Sequence, residues 1–88
     1  MSEPKKEELV IVVNGEPVHI EANLNEELIA LVARALAKSH NTGQPPENWE
    51  LKNASGVLID QHQKVGALGL PPGTKLFLSP KAGVGGRD

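Results

Sequence analysis

The chain has 88 residues, a formal net charge of −2 and no cysteine. This length suits one domain at most and buries too little surface for a deep enzymatic cleft, so we expect a protein that is not an enzyme. The balanced charge excludes a basic nucleic-acid footprint, and the lack of cysteine excludes disulfides and thiol chemistry.

The first residues, 1–7, are polar and contain Pro4, and they are predicted to form a disordered leader. Residues 8–79 are predicted to form the globular domain and residues 80–88 a flexible tail. No segment has the apolar run of a signal peptide or the roughly 20 apolar residues of a membrane span. We therefore expect a cytoplasmic protein with no membrane partner.

A β-hairpin is predicted next. Residues 9–13 are apolar on both faces, as in a central strand, and residues 17–22 alternate between apolar and polar, as in a strand buried on one side. Asn14 and Gly15 lie between the two runs and tolerate the positive φ angles of a tight hairpin turn.

An amphipathic helix is predicted over residues 26–38. Its apolar positions recur at the spacing of a single buried stripe, and they are Leu28, Leu31, Val32, Ala35 and Leu36. Arg34 and Lys38 are expected to face water. Asn23 or Asn25 is expected to cap the N-terminus of the helix, and the prolines at 45 and 46 prevent the helix from continuing.

The second half of the chain is predicted to supply short strands at residues 49–52, 57–59 and 74–78. Between the last two, residues 65–70 are rich in glycine and leucine and are expected to form a single helical turn or an irregular crossover. The order β-β-α-β-β-β predicts an α+β fold in which one main helix crosses a mixed sheet of four to five strands.

Alternation within the strands also predicts a candidate recognition patch. If Leu9 faces the helix, Val10 and Val12 face away from it. Phe77 alternates with Leu76 and Leu78, so it points to that same outer face if these leucines belong to the core. An outer patch of Val10, Val12 and Phe77 would serve enzyme docking or self-association. The alternative is that these side chains pack beneath a loop or belong to a sheet that is apolar on both faces.

In its element order and in the tail ending at Gly85-Gly86, the chain resembles the ubiquitin-like β-grasp family. The resemblance covers residues 8–86 and includes the hairpin, the helix, the paired prolines, the strand pair that starts at Trp49 and the last strand. The chain is most similar to the bacterial ubiquitin-like modifiers that have a C-terminal Gly-Gly. It departs from ubiquitin in residues 79–84: the segment before the two glycines is basic and rich in leucine in ubiquitin, but not in this chain.

The resemblance implies that the chain is a protein modifier, which acts as a substrate and binds no cofactor of its own. In the family, the carboxylate of the last glycine, here Gly86, is adenylated with ATP and conjugated to target proteins, and Gly85 lets the tail thread a narrow passage. Arg87 and Asp88 follow, so a maturation cut between Gly86 and Arg87 is predicted. The implied partners are an activating-enzyme homologue, a conjugating-enzyme homologue, a JAB-type or other processing protease, and the targets.

Two other functions fit the same pattern. One is a sulfur carrier with a C-terminal thiocarboxylate, although such carriers usually end at the glycine itself. The other is a noncovalent β-grasp interaction module with an irrelevant tail, since glycine-rich ends are also common as disordered termini. The three histidines have no carboxylate at metal-ligand spacing, so no metal site is expected.

Overall fold

The computed structural model describes residues 6–81 of the chain. Five strands and one α-helix make up most of this part, together with 3₁₀ helices at Pro46–Asn48 and Val65–Leu68. The main elements are β1 (Lys6–Val13), β2 (Glu16–Asn23), α1 (Leu28–Lys38), β3 (Trp49–Lys52), β4 (Leu58–Ile59) and β5 (Lys75–Pro80).

The strands form a single mixed sheet in the order β2-β1-β5-β3-β4. Neighbouring strands are antiparallel, except for β1 and β5, which run parallel. The first and last strands therefore meet in the middle of the sheet, and α1 packs across one face. The predicted α+β arrangement of one helix on one mixed sheet is confirmed.

The hairpin of β1 and β2 has the predicted two-residue turn. Asn14 and Gly15 have φ angles of 51° and 87°, which suits the right-handed twist of the two strands. β1 begins at Lys6, so residues 6 and 7, which were expected in the leader, pair with the end of β2. At the other end of the domain, β5 extends to Pro80, one residue into the predicted tail.

The hydrophobic core lies between α1 and one face of the sheet. The predicted helical stripe is buried throughout, and burying one such aliphatic side chain contributes about 1.5–3 kcal/mol. A slip of one residue in a strand would turn its core side chains to the other face, so this burial sets the register. The sheet contributes Leu9, Ile11, Val13, Val18, Ile20, Ala22, Trp49, Leu51, Leu76 and Leu78 to the core.

The start of α1 is capped by backbone from another part of the chain. The helix begins at Leu28, and its N-cap residue, Glu27, makes no side-chain cap bond. Instead, the N–H of Leu28 donates to the carbonyl oxygen of Gln63 at 2.9 Å, and the N–H of Ile29 donates to that of Gln61 at 2.8 Å. The loop after β4 thus satisfies the N–H groups that a helix start leaves unpaired.

The prediction that Asn23 or Asn25 caps α1 is therefore wrong. The Asn23 side chain accepts from the N–H of Asn25 at 3.3 Å, and its backbone carbonyl accepts from the N–H of Glu26 at 3.0 Å. These bonds close a turn between β2 and the helix. Because Asn23 is also the last residue of β2, its side chain is committed to this turn before α1 begins.

Candidate functional site

The predicted reactive end of the chain follows β5, which lies between β1 and β3 in the sheet. The N–H of Lys81 donates to the carbonyl oxygen of Asn48 at 2.9 Å, so the chain is joined to the domain up to this residue. Gly85, Gly86 and Arg87 lie outside the described residues. The adenylation terminus and the processing site therefore stay predictions.

A line of side chains crosses the sheet face that points away from α1. Val12 and Phe77 are partners in the parallel ladder of β1 and β5, and neighbouring strands lie about 4.8 Å apart. The registers of the other strands continue this line to Pro17 on one side and to Lys52 and Leu58 on the other. We call these five residues the outer row.

The exposed large hydrophobic side chains lie at or next to β4 and β5. Among the described residues, the exposed large hydrophobic side chains are Phe77 at 39%, Leu58 at 62% and Val57 at 58%. Val12 is half-buried. Phe77 and Leu58 are thus the exposed large hydrophobic side chains of the outer row.

Val10 lies on the same face but is covered. Its side chain is 7% exposed, although it is not a member of the core cluster between sheet and helix. Its cross-strand partners are His19 on β2 and Lys75 on β5, and long side chains on either side can shield a short valine. Of the three predicted patch residues, Val12 and Phe77 are adjacent, whereas Val10 contributes almost no accessible surface.

Leu58 was missed in the sequence because β4 has only two residues and shows no alternation of its own. A signal was nevertheless present in the strand pair. Ile59 pairs with Leu51, a fully buried core residue, so Leu58 must point to the opposite face. Its partner there is Lys52, which was predicted to lie in the same pair of strands.

Charged groups lie within and beside the apolar part of the outer face. Lys52 Nζ is 3.5 Å from the carboxylate of Glu50. Lys75 is the cross-strand partner of Val10 and lies two residues before Phe77 on β5. Because both side chains of the Lys52–Glu50 pair are partly exposed, at 41% and 31%, the pair is worth at most about 1 kcal/mol. Lys52 is therefore free to exchange this contact for one with a partner.

A small pocket opens between α1 and the strand pair of β3 and β4. It has a volume of about 230 Å³, and Ile29, Trp49 and Ile59 are among its lining residues. Gln61 also lines the pocket, and its Nε2 donates to the carbonyl oxygen of Trp49 at 2.8 Å. This volume lies below the 300–1,000 Å³ range of typical small-molecule sites.

Residues 6–81 contain no group of three or more His, Cys, Asp or Glu side chains that could hold a metal ion. Two histidines in this range each lie near one carboxylate: His19 Nδ1 is 3.2 Å from Glu8 Oε2, and His62 Nδ1 is 3.7 Å from Glu27 Oε1. In that same part of the chain, no helix is both long and apolar enough to span a membrane.

Two solved structures share this fold. The chain is similar to the ubiquitin of Caldiarchaeum subterraneum, with a TM-score of 0.73 and 24% identity over 93% of this chain and 100% of that one. It is also similar to a de novo design based on ubiquitin, with a TM-score of 0.74 and 17% identity over 97% of this chain and 100% of the design. The chain therefore has a ubiquitin-like β-grasp fold, as the sequence predicted.

The chain belongs to the protein family described as "Protein of Unknown function (DUF2604)", which matches residues 2–86. It is 46% identical over 83 residues to the uncharacterized protein y4jI of Sinorhizobium fredii (strain NBRC 101917 / NGR234). That alignment covers 94% of this chain and 64% of the relative, so the chain spans a little under two thirds of the relative's length. The family match includes both glycines and ends at Gly86.

Proposed function

We propose that the chain is a ubiquitin-like protein modifier that is cut after Gly86, activated at the new terminal carboxylate and conjugated to target proteins. The main support is the combination of a ubiquitin-like fold with Gly85-Gly86 shortly after its last strand. From Lys81 to Gly86 an extended chain spans about 17 Å, at ~3.3 Å for each of five residues. This reach would bring the carboxylate into a site that the domain itself cannot enter.

The proposed chemistry needs no catalytic side chain from this protein. Hydrolysis of the Gly86–Arg87 peptide bond consumes one water molecule and releases the dipeptide Arg-Asp. A carboxylate oxygen of Gly86 then attacks the α-phosphorus of ATP, and pyrophosphate leaves. A nucleophile on an enzyme or target next attacks the acyl carbon of the adenylate, and AMP leaves. Glycine suits both terminal positions because it lets backbone approach closely without a Cβ clash.

The outer row is the surface that we propose for docking of an activating-enzyme homologue. Phe77 and Leu58 present apolar area at 39% and 62% exposure, and Lys52 and Lys75 add positive charge to the same face. Glu8, Glu21 and Glu50 lie on the same face as these lysines, so a partner surface with apolar side chains bordered by groups of both charges would complement this arrangement. A conjugating-enzyme homologue and a JAB-type or other processing protease are the further proposed partners.

Intact-mass measurement tests the modifier proposal. We expect the full chain, incubated with ATP, Mg²⁺ and the activating enzyme and protease of its source cell, to lose Arg87-Asp88 and then to form an ATP-dependent adduct with protein. A chain ending at Gly86 should form the adduct without the protease. Gly86→Ala should slow it, and Gly83→Ala in the same tail is the matched control. Unchanged mass for both the full and the shortened chain would overturn the proposal.

The same measurement separates the other two functions. A sulfur carrier would exchange one oxygen of its terminal carboxylate for sulfur, with the corresponding gain in mass. A noncovalent interaction module would keep its mass and would still bind a partner through the outer face.

Docking is tested separately by the exchange of labelled pyrophosphate into ATP, which requires a reversible adenylation step. Phe77→Glu should raise the KM for the chain, whereas Ala33→Glu adds the same charge at an exposed position of α1 and should leave the KM unchanged. Equal KM values for both variants and the wild type would rule out the outer row while leaving the tail chemistry standing.

A further inference from the structure

Within residues 6–81, β2 has a long free edge with no strand beside it. β2 is the outermost strand on its side of the sheet and has eight residues, whereas β4 on the opposite side has two. An exposed strand edge presents N–H and C=O groups that can pair with another chain. Strand addition to this protein would therefore start most easily at β2.

The pairing with β1 determines which backbone groups lie on this edge. The N–H of Val10 donates to the carbonyl oxygen of Thr74 at 2.9 Å, on the side of β5, so the backbone groups of Val10 point away from β2. The antiparallel partner of Val10 is His19. In such a pair the backbone groups of both residues point outward. The N–H and C=O groups of His19 and of Glu21, two residues later, therefore lie on the free edge.

Two cationic side chains of α1 cover the acceptors of this edge. Lys38 Nζ donates to the carbonyl oxygen of His19 at 3.3 Å, and Arg34 Nη2 donates to that of Glu21 at 3.1 Å. Arg34 is itself held by the carboxylate of Glu26, through contacts of 2.9 and 3.0 Å. The Arg34 guanidinium is thus held at the edge by Glu26 and covers the carbonyl oxygen of Glu21, while the Lys38 ammonium group covers that of His19.

The two ends of the edge are closed in other ways. Pro17 has no N–H to donate. It lies at a position of the edge strand where the N–H would point outward, and proline is tolerated in a sheet at such positions. At the other end, the N–H of Asn23 donates to Glu26 Oε1 at 3.1 Å, and its carbonyl oxygen accepts from the N–H of Glu26 at 3.0 Å. The outward groups between these ends are those of His19 and Glu21.

We propose that Arg34 and Lys38 guard this edge against pairing with the same edge of a second copy of the chain. A two-fold antiparallel pair centred on Ile20 would place His19 opposite Glu21 of the second copy, and each such pair would exchange both of its backbone hydrogen bonds. Those bonds need the carbonyl oxygens of His19 and Glu21. Lys38 and Arg34 already donate to these two oxygens. The edge therefore has a self-complementary register, but its acceptors are occupied by side chains of the same molecule.

The double variant Arg34→Ala/Lys38→Ala tests the proposal by analytical ultracentrifugation from micromolar to millimolar concentration. We expect its mass to double as the concentration rises, while the wild type stays monomeric. Lys64→Ala/Lys75→Ala is the matched control, because it also removes two positive charges, from exposed positions away from the edge. Dimerisation of the control to the same extent would assign the effect to net charge and overturn the proposal.

Amide hydrogen exchange identifies the edge that pairs. The N–H groups of His19 and Glu21 should exchange freely in the wild type and become protected in the dimer of the double variant. Adding Glu21→Pro removes one outward donor and leaves the ladder with β1 intact, so it should restore the monomer.

Three results would overturn the proposal. One is a folded double variant that stays monomeric with both amides unprotected, and another is a wild type that already dimerises through this edge. If circular dichroism shows that the double variant does not fold, Lys38→Ala alone is the deciding variant, because it keeps the Arg34–Glu26 contact. A folded Lys38→Ala chain with no gain in self-association over the wild type is the third.

Discussion

Glu26→Gln should destabilise the fold by about 1 kcal/mol at neutral pH. The carboxylate accepts from Arg34 at 2.9 and 3.0 Å and from the N–H of Asn23 at 3.1 Å. Hydrogen bonds to charged groups contribute about 1.5–3 kcal/mol. The side chains of Glu26 and Arg34 are 32% and 41% exposed, so water screens the pair toward the range of surface pairs, about 0.2–1 kcal/mol. The two-pronged geometry places the loss near the top of that range.

This loss should depend on pH. The hydrogen bond from the Arg34 guanidinium, with a smaller effect of the Asn23 N–H, lowers the pKa of Glu26 below its ordinary value of 4.5. A carboxyl group with a lower pKa in the folded state contributes stability above the unfolded pKa, and this contribution is lost as pH falls through the folded pKa. The difference between wild type and variant should therefore be complete at neutral pH and vanish in strong acid.

Urea unfolding at about pH 7 and about pH 2 measures this difference, and at neutral pH the loss corresponds to a fall in Tm of about 4–8 °C for a domain of this size. Glu16→Gln, at an exposed carboxylate of β2, is the control. An equal loss for Glu26→Gln at both pH values would refute the reasoning, because the charge of the carboxylate would then not be its cause.

Three further substitutions test the packing, the turn and the exposed surface, each by urea unfolding. Leu31→Ala removes a side chain with 0% exposure and should cost about 3–5 kcal/mol; a loss below about 1 kcal/mol would contradict the burial. Gly15→Ala should cost about 1–2 kcal/mol because the φ angle is +87° in otherwise open space, and Gly43→Ala, also in open space, should cost less. Leu58→Ser should stay within about 0.5 kcal/mol, since Leu58 is 62% exposed; a large loss would place this side chain in a packed environment.

Local patterns were sufficient to predict the hairpin and the body of the helix. The turn at Asn14-Gly15 needs only two adjacent residues, and the buried stripe of α1 needs only its own periodicity. The start of α1 could not be predicted in this way, because its cap comes from the carbonyl groups of Gln61 and Gln63, which are distant in sequence. The same holds for the parallel pairing of β1 with β5, which no local signal specifies.

The candidate surfaces show the same division between local and tertiary information. Alternation assigned Val12 and Phe77 to one face, but the cover over Val10 depends on the strands beside it. Arg34 and Lys38 were expected simply to face water. Their bonds to the edge of β2 arise only once the helix has packed across the sheet.

The position of β5 also has a mechanical consequence. This strand carries the C-terminal end of the domain and lies between two neighbours, β1 on one side and β3 on the other. A pull on the C-terminus along the strand would load both ladders in shear, so that many hydrogen bonds carry the force together. Forced unfolding is governed by the barrier to the first rupture. We therefore expect the force needed to unfold the domain from its C-terminus to be highest for the first rupture of the β5 ladders, with rapid unfolding once they have broken.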